Sequence, residues 1–289
     1  MGTGRDREPV GTIIARIVAE SRPRMVVAFD ASGVSGAAFA RSLRGFRLRA
    51  FARVDLPQGA LTPSAMGPDI RRPDAVVEAL EMLRRRLGGG VGATLVLPDG
   101  VGWIALLDTP SGADLRAFVR FRLAPALPYP ADEAIIDALV LGPGRALGAA
   151  VRRSVVAEYE EAASAAGFTR HRVDLAPLMA MAGVLRRGAG VHVILGDAAL
   201  SLAAFQGARL AAFRTRWRDP GPGEAVRLIQ EAERTALLAG GDGAVTFAGA
   251  GAAGLVEELV ATGRPARLAV AASDPPEAAA AAWLGGALA

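Results

Sequence analysis

Residues 25–54 read MVVAFDASGVSGAAFARSLRGFRLRAFARV and residues 191–213 read VHVILGDAALSLAAFQGARLAAF. Each stretch is three apolar runs broken by short turns. In the first, Met25 to Phe29 ends at Asp30 and Ser35 to Ser42 can form a second run. Phe46, Leu48, Ala50, Ala52 and Val54 then alternate with Arg47, Arg49 and Arg53, the period of a half-exposed strand. In the second, Val191 to Leu195, Leu200 to Phe205 and Leu210 to Phe213 are separated by Gly196-Asp197 and Gln206-Gly207. Two such meanders in one chain, each followed by helix and strand signals, predict an α/β protein built by internal duplication.

After the first meander, Asp74 opens a helix carrying Val77, Leu80, Leu83 and Leu87 at helical spacing, stopped by Gly88 to Gly90, and Ala93 to Leu97 is a buried strand. An α/β block separates the two units. It begins after the turn Pro98-Asp99-Gly100 with a strand from Val101 to Leu107. A helix from Asp114 follows, with Leu115, Phe118, Val119 and Leu123 on one face, and it ends at Pro125 and Pro128. The block continues with a strand from Ala134 to Leu141 and a helix capped by Ser154 that turns Val155, Val156, Tyr159 and Ala163 inward and closes at Gly167. Beyond the second meander the pattern predicts a helix over Gly223 to Leu238, a strand over Ala244 to Phe247, a helix over Leu255 to Ala261, a strand over Arg267 to Ala271 and an alanine-rich terminal helix. Ahead of everything, Thr12 to Glu20 places Ile13, Ile14, Ile17 and Val18 on one side of a short helix.

The 289-residue chain is 52% hydrophobic and 21% charged, which fits a folded protein of one large or two ordinary domains. It contains no lysine, asparagine or cysteine, so all 33 basic residues are arginines. That excludes Schiff-base chemistry, a lysine on a phosphate, a thiolate nucleophile and a cysteine-held zinc. The isoelectric point near 10.6 reflects the high pKa of arginine, since the net charge is only +4 and the arginines are scattered; no nucleic acid partner is expected. No signal-peptide core and no stretch of about 18 uncharged apolar residues occurs, so a soluble protein of a reducing compartment is expected.

Several residues could carry chemistry. Gly249, Gly251 and Gly254 lie between an apolar run and an amphipathic helix, and Asp274 follows 20 residues after Gly254, the spacing of a dinucleotide fingerprint. Only 15 residues follow Asp274, too few for the rest of a doubly wound domain. The same glycines could instead pack a tight strand–helix turn, or let the backbone approach a nucleotide lying between two lobes. Asp30, at the end of the first run, could hold a metal–phosphate, and Asp197 opens the corresponding turn of the repeat; both also suit ordinary turn chemistry. His192 sits on an apolar run and His171 in the polar run Thr169 to Arg172, as a core and a surface histidine would, and Asp132-Glu133 most simply starts a strand or turn.

Three stretches carry a family resemblance. They are Leu56 to Ser64 (LPQGALTPS), Val119 to Leu123 with Pro128 to Ala134, and Arg152 to Tyr159 (RRSVVAEY) followed by Val173-Asp174-Leu175-Ala176. Through them the chain, from about residue 25 to 289, resembles the PilM-type family of type IV pilus assembly proteins, which is also similar to the cytoplasmic part of type II secretion L proteins. The resemblance implies an actin-like (ribonuclease H-like) fold of two lobes around a nucleotide cleft, with a small inserted subdomain. The expected organisation is an N-terminal extension over 1–24, a first lobe over 25–98 plus 172–190, an insert over 99–171 and a second lobe over 191–289.

It also implies a cytoplasmic scaffold held at the inner membrane through its partners. Such a protein binds the short cytoplasmic N-terminal peptide of a membrane-anchored pilus assembly protein, and it forms a ring or other homo-oligomer. ATP is a ligand in the family where it binds at all, and here the nucleotide motifs depart from the pattern. Asp30 is kept, but Ser32 replaces a glycine and Ala37 a lysine; Gly196 matches, but Ile194 stands where an acidic residue belongs and Asp197 lies beyond it. Gly249, Gly251 and Gly254 fit. Losing one charge-assisted hydrogen bond weakens binding roughly ten- to a hundredfold, so ATP affinity no tighter than about millimolar is expected and no catalytic residue is assigned. An actin-fold phosphotransferase, such as a sugar or acetate kinase, is the alternative. The peptide groove of the family lies between first lobe and insert, which points to Phe118, Phe121, Leu127 and Tyr129; Phe118 could equally belong to the insert's own core.

Overall fold

A computed structural model describes residues 25–42, 45–112, 114–184, 189–196, 198–207, 209–239, 245–249 and 251–269. The predicted N-terminal and C-terminal helices, Asp197 and Asp274 lie outside them.

Three antiparallel strands come first among the described residues: β1 (Met25–Asp30), β2 (Gly33–Ser42) and β3 (Gly45–Asp55). Helix α1 (Pro73–Arg86) then leads to β4 (Gly92–Leu97), which lies parallel to β1. Proline suits the first helical position, and Asp74 near the N-terminus with Arg84, Arg85 and Arg86 in the last turn complements the helix dipole. Leu80 and Leu83 are buried as the spacing predicted. Val76 and Ala79 take the rest of the buried stripe, while Val77 is only half-buried.

The block between the meanders supplies β5 (Gly102–Asp108), α2 (Leu115–Leu123), a short 3-10 turn, β6 (Ala134–Gly142), β7 (Arg145–Arg152) and α3 (Arg153–Ala165). Strands β5, β7 and β6 form a separate three-stranded antiparallel sheet in that order. Helix α2, capped by the Asp114 carboxylate on the amides of Arg116 and Ala117, covers one face with Val119 and Leu123. Helix α3 departs from the expected boundary at 171. Its buried Val155, Val156, Tyr159, Ala162 and Ala163 join the core of the first sheet with Leu80, Leu83 and Leu95, so the inserted sheet ends at Arg152. Ser154 does not cap this helix: Arg152 occupies the N-cap position and Ser154 lies in the first turn.

Next come β8 (Arg170–Leu175), parallel to β4, and α4 (Ala176–Val184). The second meander is β9 (Gly190–Leu195), β10 (Ala199–Gln206) and β11 (Arg209–Trp217), followed by α5 (Glu224–Leu238), β12 (Val245–Gly249), α6 (Ala252–Ala261) and β13 (Ala266–Leu268).

The first sheet has the order β3-β2-β1-β4-β8 and the second β11-β10-β9-β12-β13, the same plan twice. Each middle hairpin carries its register shift at an Ala-Phe step, Ala38/Phe39 in β2 and Ala204/Phe205 in β10. A bulge at matching positions in both halves is a structural signature of the duplication. One face of each sheet is covered by two helices, α1 and α3 on the first, α5 and α6 on the second. Helix α4 lies between the sheets: Met179 packs with Val26, Ala37, Phe39 and Val96, and Ala180 and Met181 pack with Ile194, Ala203 and Phe205. This explains why α4 is apolar all round. The C-terminal ends of β4 and β9 approach each other where the two halves meet, with Asp99 lying against Gly196.

Candidate functional site

The hairpin register builds the first-lobe side of the candidate site. Ser35 on β2 pairs with Ala28 on one side and with Arg53 of β3 on the other. Arg53 thereby reaches back over the β1–β2 turn. Its Nη1 donates to Oδ2 of Asp30 at 2.7 Å and to Oγ of Ser35 at 3.0 Å, and its Nη2 donates to Oδ1 of Asp30 at 2.9 Å and Oγ of Ser32 at 2.7 Å. Ser32 in turn donates its amide and hydroxyl to Oδ1 of Asp30 at 2.9 and 2.6 Å. Burial alone would raise the Asp30 pKa; the bonds from Arg53 and Ser32 and the guanidinium charge prevail and hold it below the usual carboxylate value. The same carboxylate raises the Arg53 pKa.

Arg53 was not foreseen as a site residue. The sequence pattern puts it on the polar face of an alternating strand and makes Ala37 the site of a lost positive charge. The structure corrects both points. Ala37 is fully buried in an apolar cluster, and the positive group of the first loop comes from β3.

On the second lobe, the duplicated register aligns Gly196 with Asp30, so no carboxylate of β9 answers Asp30 at this point. A Cβ on Gly196 would collide with the Asp99 carboxylate, which follows β4 on the first lobe. One residue on, the ring of Trp217 lies against Gly100, where a Cβ would meet it at 3.1 Å. Arg218 ties the region together: its Nη1 donates to the Gly196 carbonyl at 2.8 Å, and its Nε pairs with Oε1 of Glu224 at 2.6 Å, both side chains being 12% exposed.

The three glycines of the β12–α6 turn separate. Gly249 has φ 104° and a Cβ there would collide with the carbonyl of Leu195; Gly251 has φ 79° and precedes the first helical residue. Both need to be glycine for the turn itself. Gly254 lies inside α6 with open space around it, so the packing does not require glycine there.

An actin-like fold implies nucleotide with a divalent cation, and the residues here do not fit that group. The one carboxylate of the β1–β2 turn is engaged bidentately by Arg53, and the space beside Gly196 holds Asp99. Among the described residues, no group of three or more His, Asp or Glu side chains could hold a metal ion. His192 is buried, edge-on to Phe205 with ring centroids 5.6 Å apart, as a core histidine.

The four expected groove residues do not form one cluster. Phe118 and Leu127 are half-buried against the insert core with Val119 and Leu123. Phe121 is 74% exposed. Tyr129 is 7% exposed, with the Arg152 guanidinium 5.9 Å from its ring centroid and its hydroxyl without a hydrogen-bond partner among the described residues. Burial raises the phenol pKa, the Arg152 charge opposing it. Arg152 also pairs with Glu133 at 2.7 Å and donates to the carbonyl of Met66 at 2.6 Å, so it bridges the insert and the loop after β3. Glu133 is thus an ion-pair partner. Sequence reading missed Met66 and Arg152, whose separation in the chain hides their meeting.

Two five-stranded sheets of identical order, each covered by helices on one face, define an actin-like fold. Among solved structures, the chain is similar to the protein of a "PilM-PilN type IV pilus biogenesis complex", at 18% identity and a TM-score of 0.75 over 92% of this chain and 100% of that one. It is also similar to the cytoplasmic domain of EpsL, an inner-membrane component of the type II secretion system of Vibrio cholerae, at 13% identity and a TM-score of 0.53 over 91% and 94%. A Bacteroides thetaiotaomicron protein with an actin-like ATPase fold and unknown function matches at 8% identity and 0.54 over 90% and 94%. No family model matches the sequence, and no curated protein matches it.

Proposed function

We propose that this protein is an actin-like scaffold of type IV pilus or related type II secretion assembly, and that it binds the cytoplasmic N-terminal tail of a membrane-anchored assembly protein. The observation that supports this reading most is the fold match over the full length of a chain solved as part of a PilM-PilN complex. On this reading the protein works at the cytoplasmic face of the inner membrane and reaches the bilayer through its partner; among the described residues no helix is long and apolar enough to cross a membrane. It assembles as a ring or other homo-oligomer and transfers no phosphate.

The tail lies where the insert meets the loop after β3, beside Met66, Arg152 and Tyr129, with Phe121 as an exposed anchor. An extended tail of this kind seats alternate side chains while its backbone pairs with groups at the groove edge. The test is calorimetry with synthetic peptides matching the short cytoplasmic N-termini of membrane-anchored pilus assembly proteins from the same source. Micromolar binding is expected. No binding to any of these peptides, or phosphate transfer from MgATP to a sugar or acetate, would overturn the scaffold reading.

A further inference from the structure

We propose that the cleft is a self-liganded joint, in which side chains of this chain occupy the positions that a nucleotide and its cation would take. Arg53 is the internal cation. It meets Asp30 with two parallel hydrogen bonds and also holds Ser32 and Ser35, so every polar side chain of the β1–β2 turn is turned onto one guanidinium. The fork shape matters, because a guanidinium satisfies both carboxylate oxygens at once.

The second half of the joint crosses to the second lobe. Asp99, after β4, fills the space that a side chain at 196 would need, and Trp217 of β11 lies on Gly100 of the turn between β4 and β5. Arg218 fixes the receiving surface by its bonds to the Gly196 carbonyl and Glu224. In a nucleotide-dependent member of this fold class, phosphates and cation would join these same strand ends. Here the joint is closed by carboxylate, guanidinium and backbone, and its geometry is independent of nucleotide. This inference rests on the cleft geometry and does not depend on the pilus reading.

The experiment is a double-mutant cycle on Asp30→Asn and Arg53→Gln, read by thermal and urea unfolding of the full chain with and without millimolar MgATP. The parent is expected to show no nucleotide-dependent shift. Each single variant should lower the folded-to-unfolded ratio roughly three- to tenfold, and the double should fall no further than the worse single. Additive losses would show that the two residues act separately and would overturn the proposal. Stabilisation of the parent by MgATP would overturn it too. Should Arg53→Gln fail to fold, Arg53→Lys, which keeps the charge and loses the fork, runs in the same cycle. A third variant, Gly196→Ala, pushes Asp99 from its seat. It should speed proteolytic cleavage of the Pro98-Asp99-Gly100 turn, and MgATP should not reverse the effect; an unchanged cleavage rate sinks the interlobe half of the joint.

Discussion

The hydroxyl of Tyr159 on α3 donates to Oδ2 of Asp69 at 2.9 Å, joining the loop after β3 to the core helix of the first lobe. Both residues are fully buried. Oδ1 of Asp69 accepts from the Ser64 amide at 3.0 Å, and Oε2 of Glu158 accepts from the amides of Asp69 and Ile70 at 2.6 and 3.1 Å. The loop is therefore pinned by two carboxylates, one of them excluded from water.

Burial, with the Glu158 charge adding to it against the Tyr159 bond, pushes the Asp69 pKa from 3.8 to about 6. A carboxyl whose folded pKa is raised contributes stability that is full below the unfolded value and is lost as pH rises through the folded one. This group should therefore make the protein less stable at pH 7 than at pH 4, by an amount on the order of 1–3 kcal/mol. Asp69→Asn should flatten that part of the profile, since the amide keeps an acceptor and carries no charge. Urea unfolding between pH 4 and 7 on both proteins measures it; equal slopes would count against a buried Asp69 charge.

The two glycines flanking the β12–α6 turn should respond in opposite ways. Gly249→Ala forces a Cβ onto the Leu195 carbonyl at φ 104°, and a loss of at least about 2 kcal/mol is expected. Gly254→Ala adds a methyl in open space within a helix and should stabilise by roughly 0.5–1 kcal/mol. Thermal unfolding distinguishes them. Loss of stability in Gly254→Ala would mean that this glycine has a role its surroundings do not show.

How much of this was legible follows from which interactions are local. The meanders, α1 and α5 were readable because alternation and helical spacing survive when one face of an element is buried. Strand β7 was not. Its run Ala146-Leu147-Gly148-Ala149-Ala150 is packed on both faces, so it shows no alternation. Its residues are small because α2 crosses closely: a Cβ on Gly148 would meet Val119 at 2.6 Å. The turn glycines before it, Gly142 and Gly144, were the available signal. Arg53 was hidden for a different reason. It sits 23 residues from Asp30, and only the paired registers of three strands bring them together.

Arg145 joins the insert to the second lobe. Its Nη1 and Nη2 donate to the carbonyls of Leu210 and Ala211, each at 3.1 Å, while Nε pairs with Asp108 at 3.2 Å. Beneath it Leu147 packs with Phe205, Leu210 and Phe213. Arg145→Ala leaves two carbonyls of β11 without these donors and should cost about 1–3 kcal/mol. Hydrogen exchange should report the loss first in β5 and β11. Protection unchanged in both strands would show that apolar packing alone holds the insert.

The expected groove residues make the last prediction, and their burial divides it. Phe121→Ala removes a ring that is 74% exposed, so stability should stay within about 0.5 kcal/mol of the parent, while binding of the partner peptide should weaken by about 1–3 kcal/mol if the ring seats in the groove. Tyr129→Ala is a different experiment, because it empties a buried site beneath Arg152 and should cost roughly 3–5 kcal/mol of stability. Tyr129→Phe resolves the ambiguity. It keeps the ring and deletes a hydroxyl that has no partner among the described residues, so the fold should be unharmed or slightly stabilised. If the tail supplies that partner, peptide binding should weaken by about 1 kcal/mol in Tyr129→Phe even as the melting temperature holds. Undiminished peptide binding by both Phe121→Ala and Tyr129→Phe would place the tail elsewhere on the molecule.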